Sequence, residues 1–200
     1  MPQPIKLTWN NKDFIFNPVS LRFETEIYNN IFKDKNNNTL SQTLKHKKYS
    51  KFNDVVFQRY SQYLLQPLGE YLFDLKNRND PFYKEFLNNY GDLVYSNFYI
   101  DDPEYLNKRG LYIYNVGGKI QYIGRCRDSF NKRINQGYGR VDPKNCYIDG
   151  QSTNVRLNAL ITKNRDLVEL YICILNDPIL IKDAEVGLKL VLGRPPWNIQ

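Results

Sequence analysis

Four side chains carry most of the chemistry this 200-residue sequence offers: Tyr112, Tyr122, Arg133 and Glu185. The two tyrosines stand on either side of Gly117-Gly118 in GLYIYNVGGKIQYIG, residues 110–124. Two phenols aimed at one place could hydrogen-bond water or phosphate. They could equally be an ordinary cross-strand pair, because tyrosine is a good strand former and the chain has 16 of them. Arg133 offers a planar, permanently charged fork that suits a phosphate, and a plain surface arginine would read the same way. Glu185 falls among Ile181, Ala184, Val186, Leu188, Leu190 and Val191. A carboxylate half-buried in such a helix is costly without a cation. A hard divalent ion such as Mg²⁺, bound mostly through water, would satisfy it, and so would Lys182 or Lys189 on the same helix face.

The element that must aim the phenols is a β-hairpin. Opposed residues in an antiparallel pair share a face. A two- or four-residue loop around Gly117-Gly118 would oppose Tyr114 to Gln121 and send Tyr112 and Tyr122 to opposite faces. A three-residue loop, Val116-Gly117-Gly118, would oppose Tyr112 directly to Tyr122, with Gly118 taking the left-handed position that closes it. The sequence reading therefore favours the three-residue turn.

Beyond Gly124 runs RCRDSFNKRINQGYGR, where Asp128 or Ser129 can cap a short helix with Phe130 and Ile134 facing inward and Gly137 ending it. Arg133 projects from that helix. The segment 139–154, GRVDPKNCYIDGQSTN, is polar, basic and turn-rich. It could enter a groove and read base edges through Asn145, Gln151 or Asn154, or be a structural loop capped by Ser152 or Thr153. Charge sharpens the picture. Residues 1–104 carry 13 basic and 13 acidic side chains, whereas residues 105–200 carry 15 and 8, so all the net charge of +7 lies in the second half. A basic stretch that includes Arg127, Arg140 and Lys144 is the footprint of a surface for a polyanion.

The second half resembles the GIY-YIG nuclease family. Gly110-Leu111-Tyr112 matches the first signature with Leu for Ile, and Tyr122-Ile123-Gly124 matches the second. Arg133 stands at the family's helix arginine, Glu185 at its glutamate, and Pro195-Pro196-Trp197-Asn198 resembles its closing element. Phosphodiester hydrolysis needs a nucleophilic water, stabilisation of charge on the phosphoryl oxygens and help for the leaving alkoxide. The resemblance implies Tyr112 as general base or water-positioning group, Tyr122 beside it, Arg133 on the phosphate, Glu185 as ligand of Mg²⁺ (or Mn²⁺), and Asn198 near DNA. Arg125 stands where several members have lysine and could supply charge to Tyr112. Many members have a histidine four residues after the arginine; here that position is Gly137, followed by Tyr138, and the only histidine is His46.

The resemblance implies an α+β fold, a small antiparallel three-stranded sheet flanked by helices, with strands at 110–116, 119–126 and 168–175 and helices at about 153–163 and from Asp177-Pro178 to Gly193. Residues 105–200 form the nuclease domain on this reading. Residues 1–104 read as a mainly helical region for DNA binding, dimerisation or packing, joined near Asp101-Asp102-Pro103. Within it, IKLTWNNKDFIF suggests a small hairpin, and SLRFETEIYNNIF a helix capped by Ser20. Residues 53–76 suggest a helical segment broken at Pro67-Leu68-Gly69, and Asp80-Pro81 restarts a short helix.

No apolar run approaches the length of a membrane helix, and Cys126, Cys146 and Cys173 lack the spacing of a zinc site or a disulfide framework. A cytoplasmic protein with free thiols is expected. The functional expectation is a metal-dependent DNA endonuclease acting on double-stranded DNA, of the type II restriction kind. That kind implies a homodimer or higher homo-oligomer and a cognate DNA methyltransferase as genetic partner. A homing or mobile-element endonuclease and a non-catalytic DNA-binding module are the alternatives.

Overall fold

The computed structural model describes residues 2–198. The chain forms two compact units, and it crosses between them repeatedly: unit 1 comprises residues 1–25, 96–140 and 160–200, and unit 2 residues 26–95 and 141–159. The single cut expected after residue 104 therefore gives way to an interleaved division.

In chain order the strands are β1 (Ile5–Trp9), β2 (Lys12–Val19), β3 (Arg22–Tyr28), β4 (Tyr95–Tyr99), β5 (Gly110–Val116), β6 (Lys119–Cys126) and β7 (Val168–Ile174). The α-helices are α1 (Leu40–Leu44), α2 (Asn53–Arg59), α3 (Leu68–Asn77), α4 (Pro103–Leu106), α5 (Ser152–Lys163) and α6 (Pro178–Val191). A π-helix occupies Asn131–Tyr138.

Unit 1 is built on a five-stranded antiparallel sheet in the order β1-β2-β7-β5-β6. This corrects the small three-stranded sheet and the mainly helical N-terminus. The three expected strands form at β5, β6 and β7, but the N-terminal hairpin extends them, with Asn17, Pro18 and Val19 of β2 opposite Ile172, Tyr171 and Leu170 of β7. The hairpin itself forms as read, turning at Asn10 and Asn11, both with positive φ. Pro18 is tolerated because β1 pairing ends at Phe16, leaving one side of β2 open there. The helix expected from Ser20 is instead β3, which pairs with β4 in a separate two-stranded sheet. Phe23 packs its ring 5.4 Å from Phe98, and Arg22 pairs with Asp101, so tertiary partners override a local pattern that fits a helix.

One face of the large sheet is covered by α6. Phe14, Phe16, Leu111, Ile113, Ile123, Tyr171 and Cys173 pack there with Ile181, Ala184 and Leu188. Asp177 caps α6 by accepting from Ile179 N–H, and Gly193, with φ 64°, follows its last turn. Gly187 lets Trp9 of the hairpin lie against the helix, since a Cβ there would run into the indole ring.

Unit 2 is mainly helical around an aromatic core that includes Phe32, Tyr49, Phe52, Tyr60, Tyr71 and Phe86. The helical segment expected over 53–76 is interrupted from Tyr60 to Pro67, and the helix from Asp80-Pro81 is a 3₁₀ helix, Pro81–Phe86, capped by the Asp80 side chain. All three cysteines are free and buried. Among the described residues no helix is long and apolar enough to cross a membrane.

Candidate active site

The β5–β6 hairpin turns on two residues, Gly117 and Gly118, both with positive φ (56° and 81°), so Val116 opposes Lys119. The three-residue turn is thereby corrected. By simple register a two-residue turn would have separated the phenols, but a β-bulge intervenes. Asn115 opposes Ile120 while Tyr114 opposes Tyr122, leaving Gln121 as the extra residue. The bulge returns Tyr122 to the face of Tyr112 and Tyr114. Tyr112 itself opposes Gly124, and a Cβ on Gly124 would collide with the Tyr112 ring. That collision is the physical content of the glycine in Tyr122-Ile123-Gly124.

Four tyrosines and an arginine gather on this face, the side of the sheet away from α6. Ring centroids of Tyr112 lie 5.9 Å from Tyr122, 5.9 Å from Tyr114 and 6.1 Å from Tyr138. The Tyr112 and Tyr138 hydroxyls are hydrogen-bonded to each other. Arg133 Nε donates to Tyr112 Oη at 3.3 Å, and its guanidinium lies 5.0 Å from the Tyr138 ring centroid. Tyr112, Tyr114 and Tyr138 are fully buried and Tyr122 nearly so. Burial pushes the Tyr138 phenol well above its ordinary value, and the negative charge of Glu185 adds to the shift. Burial also raises Tyr114, helped by Tyr122 and opposed by Arg133. Tyr138 and Tyr114 are therefore neutral at physiological pH; Tyr138 shares a hydrogen bond with Tyr112, and among the described residues the Tyr114 hydroxyl is buried without a partner.

The π-helix explains how Tyr138 reaches the site. Gly139 N–H donates to Ile134 O at 2.6 Å, a bond spanning five residues rather than four. The wider turn brings residue 138, not 137, back over residue 133. The extra residue of this turn is absorbed locally, and Tyr138 lies against both Tyr112 and Arg133. Phe130 and Ile134 face inward as expected, Ser129 Oγ accepts from Lys132 N–H, and the helix runs one residue past Gly137.

Glu185 forms a second cluster, and its negative charge reaches the first at Tyr138. Arg125 opposes Leu111, so it lies on the α6 side of the sheet, where its Nη1 is 3.2 Å from Glu185 Oε2. Lys189 Nζ, one turn along α6, is 2.7 Å from Oε1. Arg125 therefore serves Glu185 and not Tyr112. Both carboxylate oxygens face cations, and Glu185 is 8 % exposed. Among the described residues no group of three or more His, Cys, Asp or Glu side chains gathers to hold a metal. A single carboxylate is nonetheless a fitting donor for Mg²⁺ bound mainly through water and substrate phosphate, provided Lys189 or Arg125 gives way.

The expected DNA contacts are dispersed. Asn198 is a structural clip: its carboxamide accepts from Ile123 N–H at 3.0 Å and donates to Ile123 O at 2.8 Å, while Trp197 N–H donates to Gln121 O. The Pro-Pro-Trp-Asn element thus covers the outer edge of β6. Arg127 and Arg140 are exposed in unit 1; Lys144, Asn145, Gln151 and Asn154 belong to unit 2, with Asn145 and Asn154 largely buried. Sequence reasoning missed Tyr114, although its place two residues from Tyr112 on one strand puts it on the same face. No family model, curated protein or solved structure matches this chain.

Proposed function

We propose that the chain is a metal-dependent DNA endonuclease of the GIY-YIG kind, acting as a type II restriction endonuclease. The observation that carries this reading is the convergence of Tyr112, Tyr122, Tyr138 and Arg133, three of them drawn from the resemblance and the fourth brought in by the π-helix. Among the described residues Arg133 commits its Nε to Tyr112, which leaves the outer edge of its fork for two oxygens of a scissile phosphate. Tyr112, holding Arg133 and Tyr138 at once, orients a water for in-line attack. The neutral Tyr138 phenol fixes the hydroxyl direction of Tyr112. When bound at Glu185, Mg²⁺ or Mn²⁺ would supply Lewis-acid stabilisation of charge on the phosphate and leaving oxygen. The basic balance of residues 105–200 favours a polyanionic substrate.

The test is cleavage of a mixed plasmid and phage DNA panel with Mg²⁺ or Mn²⁺, beside EDTA, Arg133→Ala and Glu185→Ala controls. Discrete fragments that vanish in every control are expected, and their ends give the site. Intact DNA throughout, with folded protein bound to it, would replace the nuclease reading with a binding module.

A further inference from the structure

Unit 2 contains an open cavity of about 350 Å³, lined by Lys, Asn, Asp, Gly and Gln residues, that the catalytic chemistry does not use. One wall is Lys35, Asn37 and Asn38; the other is Lys144, Asn145 and Gln151, contributed by a segment more than a hundred residues later in the chain. The walls are held before any ligand arrives. Lys35 has a side chain only 12 % exposed, with its Nζ 3.2 Å from Asp149 Oδ1 and 4.1 Å from the Tyr147 ring centroid. Tyr49 donates its hydroxyl to the same Asp149 oxygen. The first wall's backbone is pinned to the start of α3, where Leu68 N–H donates to Asn38 O and Gly69 N–H to Lys35 O. On the second wall, Asn145 is 5 % exposed and accepts from Gln151 N–H at 3.2 Å, while Asn154 donates to Gln151 Oε1. Gly150 closes that segment so tightly that a Cβ would strike Lys144 O.

The lining selects the chemistry of the ligand. Asp149 offsets Lys35, and Asp142, 3.1 Å from Lys144, offsets the other lysine, so the cavity is no trap for a bare anion. Of the four carboxamides that remain, Asn145 Oδ1 and Gln151 Oε1 are already engaged by Gln151 N–H and Asn154, so Asn37 and Asn38 present a donor and an acceptor side by side in one plane and Gln151 presents its donor. That pairing complements the hydrogen-bonding edge of a nucleobase, as Asn and Gln do with adenine. We infer that this cavity is where unit 2 reads base edges in double-stranded DNA, with exposed Asn37, Asn38 and Gln151 making the contacts and buried Asn145 and half-buried Lys35 holding the walls in place. The inference rests on the DNA-endonuclease reading, and assigns its sequence specificity to a site apart from the tyrosine cluster.

The experiment is selection from a random duplex library in EDTA, so that binding is read without cleavage, using the full chain as wild type, Asn38→Ala and Gln151→Ala. Both substitutions fall at exposed side chains, and thermal melts check the fold. The wild type is expected to enrich one motif. Each variant should enrich a motif degenerate at one or two base pairs, with about ten- to a hundredfold weaker binding of the wild-type motif and unchanged binding of unrelated duplex. Variants that enrich the wild-type motif with wild-type affinity would overturn the inference. A wild type that cuts DNA yet enriches no motif, or prefers RNA of the same sequence, would overturn it while leaving phosphodiester hydrolysis standing. A wild type that neither binds nor cuts DNA would overturn both.

Discussion

A carboxylate whose two oxygens each face a cation cannot take up a divalent ion without giving one of them away. In Glu185 the easier partner to displace is Lys189, which sits on a flexible stem on the same helix, whereas Arg125 is fixed by the β5–β6 ladder. Lys189→Met, which keeps the apolar stem and removes the charge, is therefore expected to tighten Mn²⁺ binding to the free protein by about fivefold, the scale of one partly exposed ion pair. Isothermal titration reads this directly, and unchanged affinity would mean that the ion enters without displacing Lys189. A different test suits the phenols. Tyr138→Phe keeps the ring packed against Tyr112 and Tyr114 but removes the hydroxyl that orients Tyr112. Its expected signature is a turnover rate lower by about tenfold with KM and melting temperature unchanged, and an unaltered pH profile below pH ~10, since Tyr138 stays protonated there. A drop in melting temperature that accounts for the lost activity would make Tyr138 a packing residue only.

At the scale of elements, the edge strand β6 depends on the C-terminal clip. Asn198→Ala removes two hydrogen bonds to the backbone of Ile123 and leaves buried groups on the strand unpaired, so a loss of about 1–3 kcal/mol is expected in urea unfolding. DNA affinity should follow the folded fraction and nothing more, which separates the clip from the DNA contact expected at that position. The elements that were legible share a cause. The strands β5, β6 and β7 are β-branched and aromatic runs bounded by glycine or charge, and α6 starts on Asp177-Pro178 and stops at Gly193, so their signals are local. The misreadings also have causes. The Gln121 bulge leaves no mark in composition, and it alone converts a turn that should separate Tyr112 from Tyr122 into one that unites them. Residues 22–28 satisfy a helical spacing as well as a strand, and only the distant partners Phe98 and Asp101 decide between the two. The pairing of β2 with β7 joins residues about 150 apart, beyond any periodicity, so local patterns assign only three strands to the sheet. For the same reason the cavity walls at Lys35 and Gln151 could not be joined from sequence.

Across the whole molecule, tyrosine burial sets a limit at alkaline pH. Burial raises Tyr114 and Tyr138 in unit 1 and Tyr49, Tyr71, Tyr95 and Tyr147 in unit 2, while Tyr60 and Tyr83 are pushed up to about 12 by burial and by their carboxylate partners Asp80 and Asp92. A phenol that ionises near pH ~10 when unfolded and later when folded stabilises the fold fully below that pH. Above it the unfolded chain loses protons that the folded chain keeps, so stability falls as pH rises. Each such group contributes about 1.4 kcal/mol per pH unit. With several acting together, a plateau to pH ~10 should end in a steep drop within about one pH unit. Urea unfolding at stepped pH, followed by tyrosinate absorbance, checks this: less buried tyrosines such as Tyr63, whose pKa the Arg78 hydrogen bond lowers, should titrate first, and the rise from the buried ones should come only with unfolding. Early titration of the full tyrosine complement in folded protein would contradict the burial. Tyr71→Phe isolates one contribution. Among the described residues the Tyr71 hydroxyl is buried without a hydrogen-bond partner, so its removal should cost nothing at neutral pH and lessen the alkaline loss by one proton.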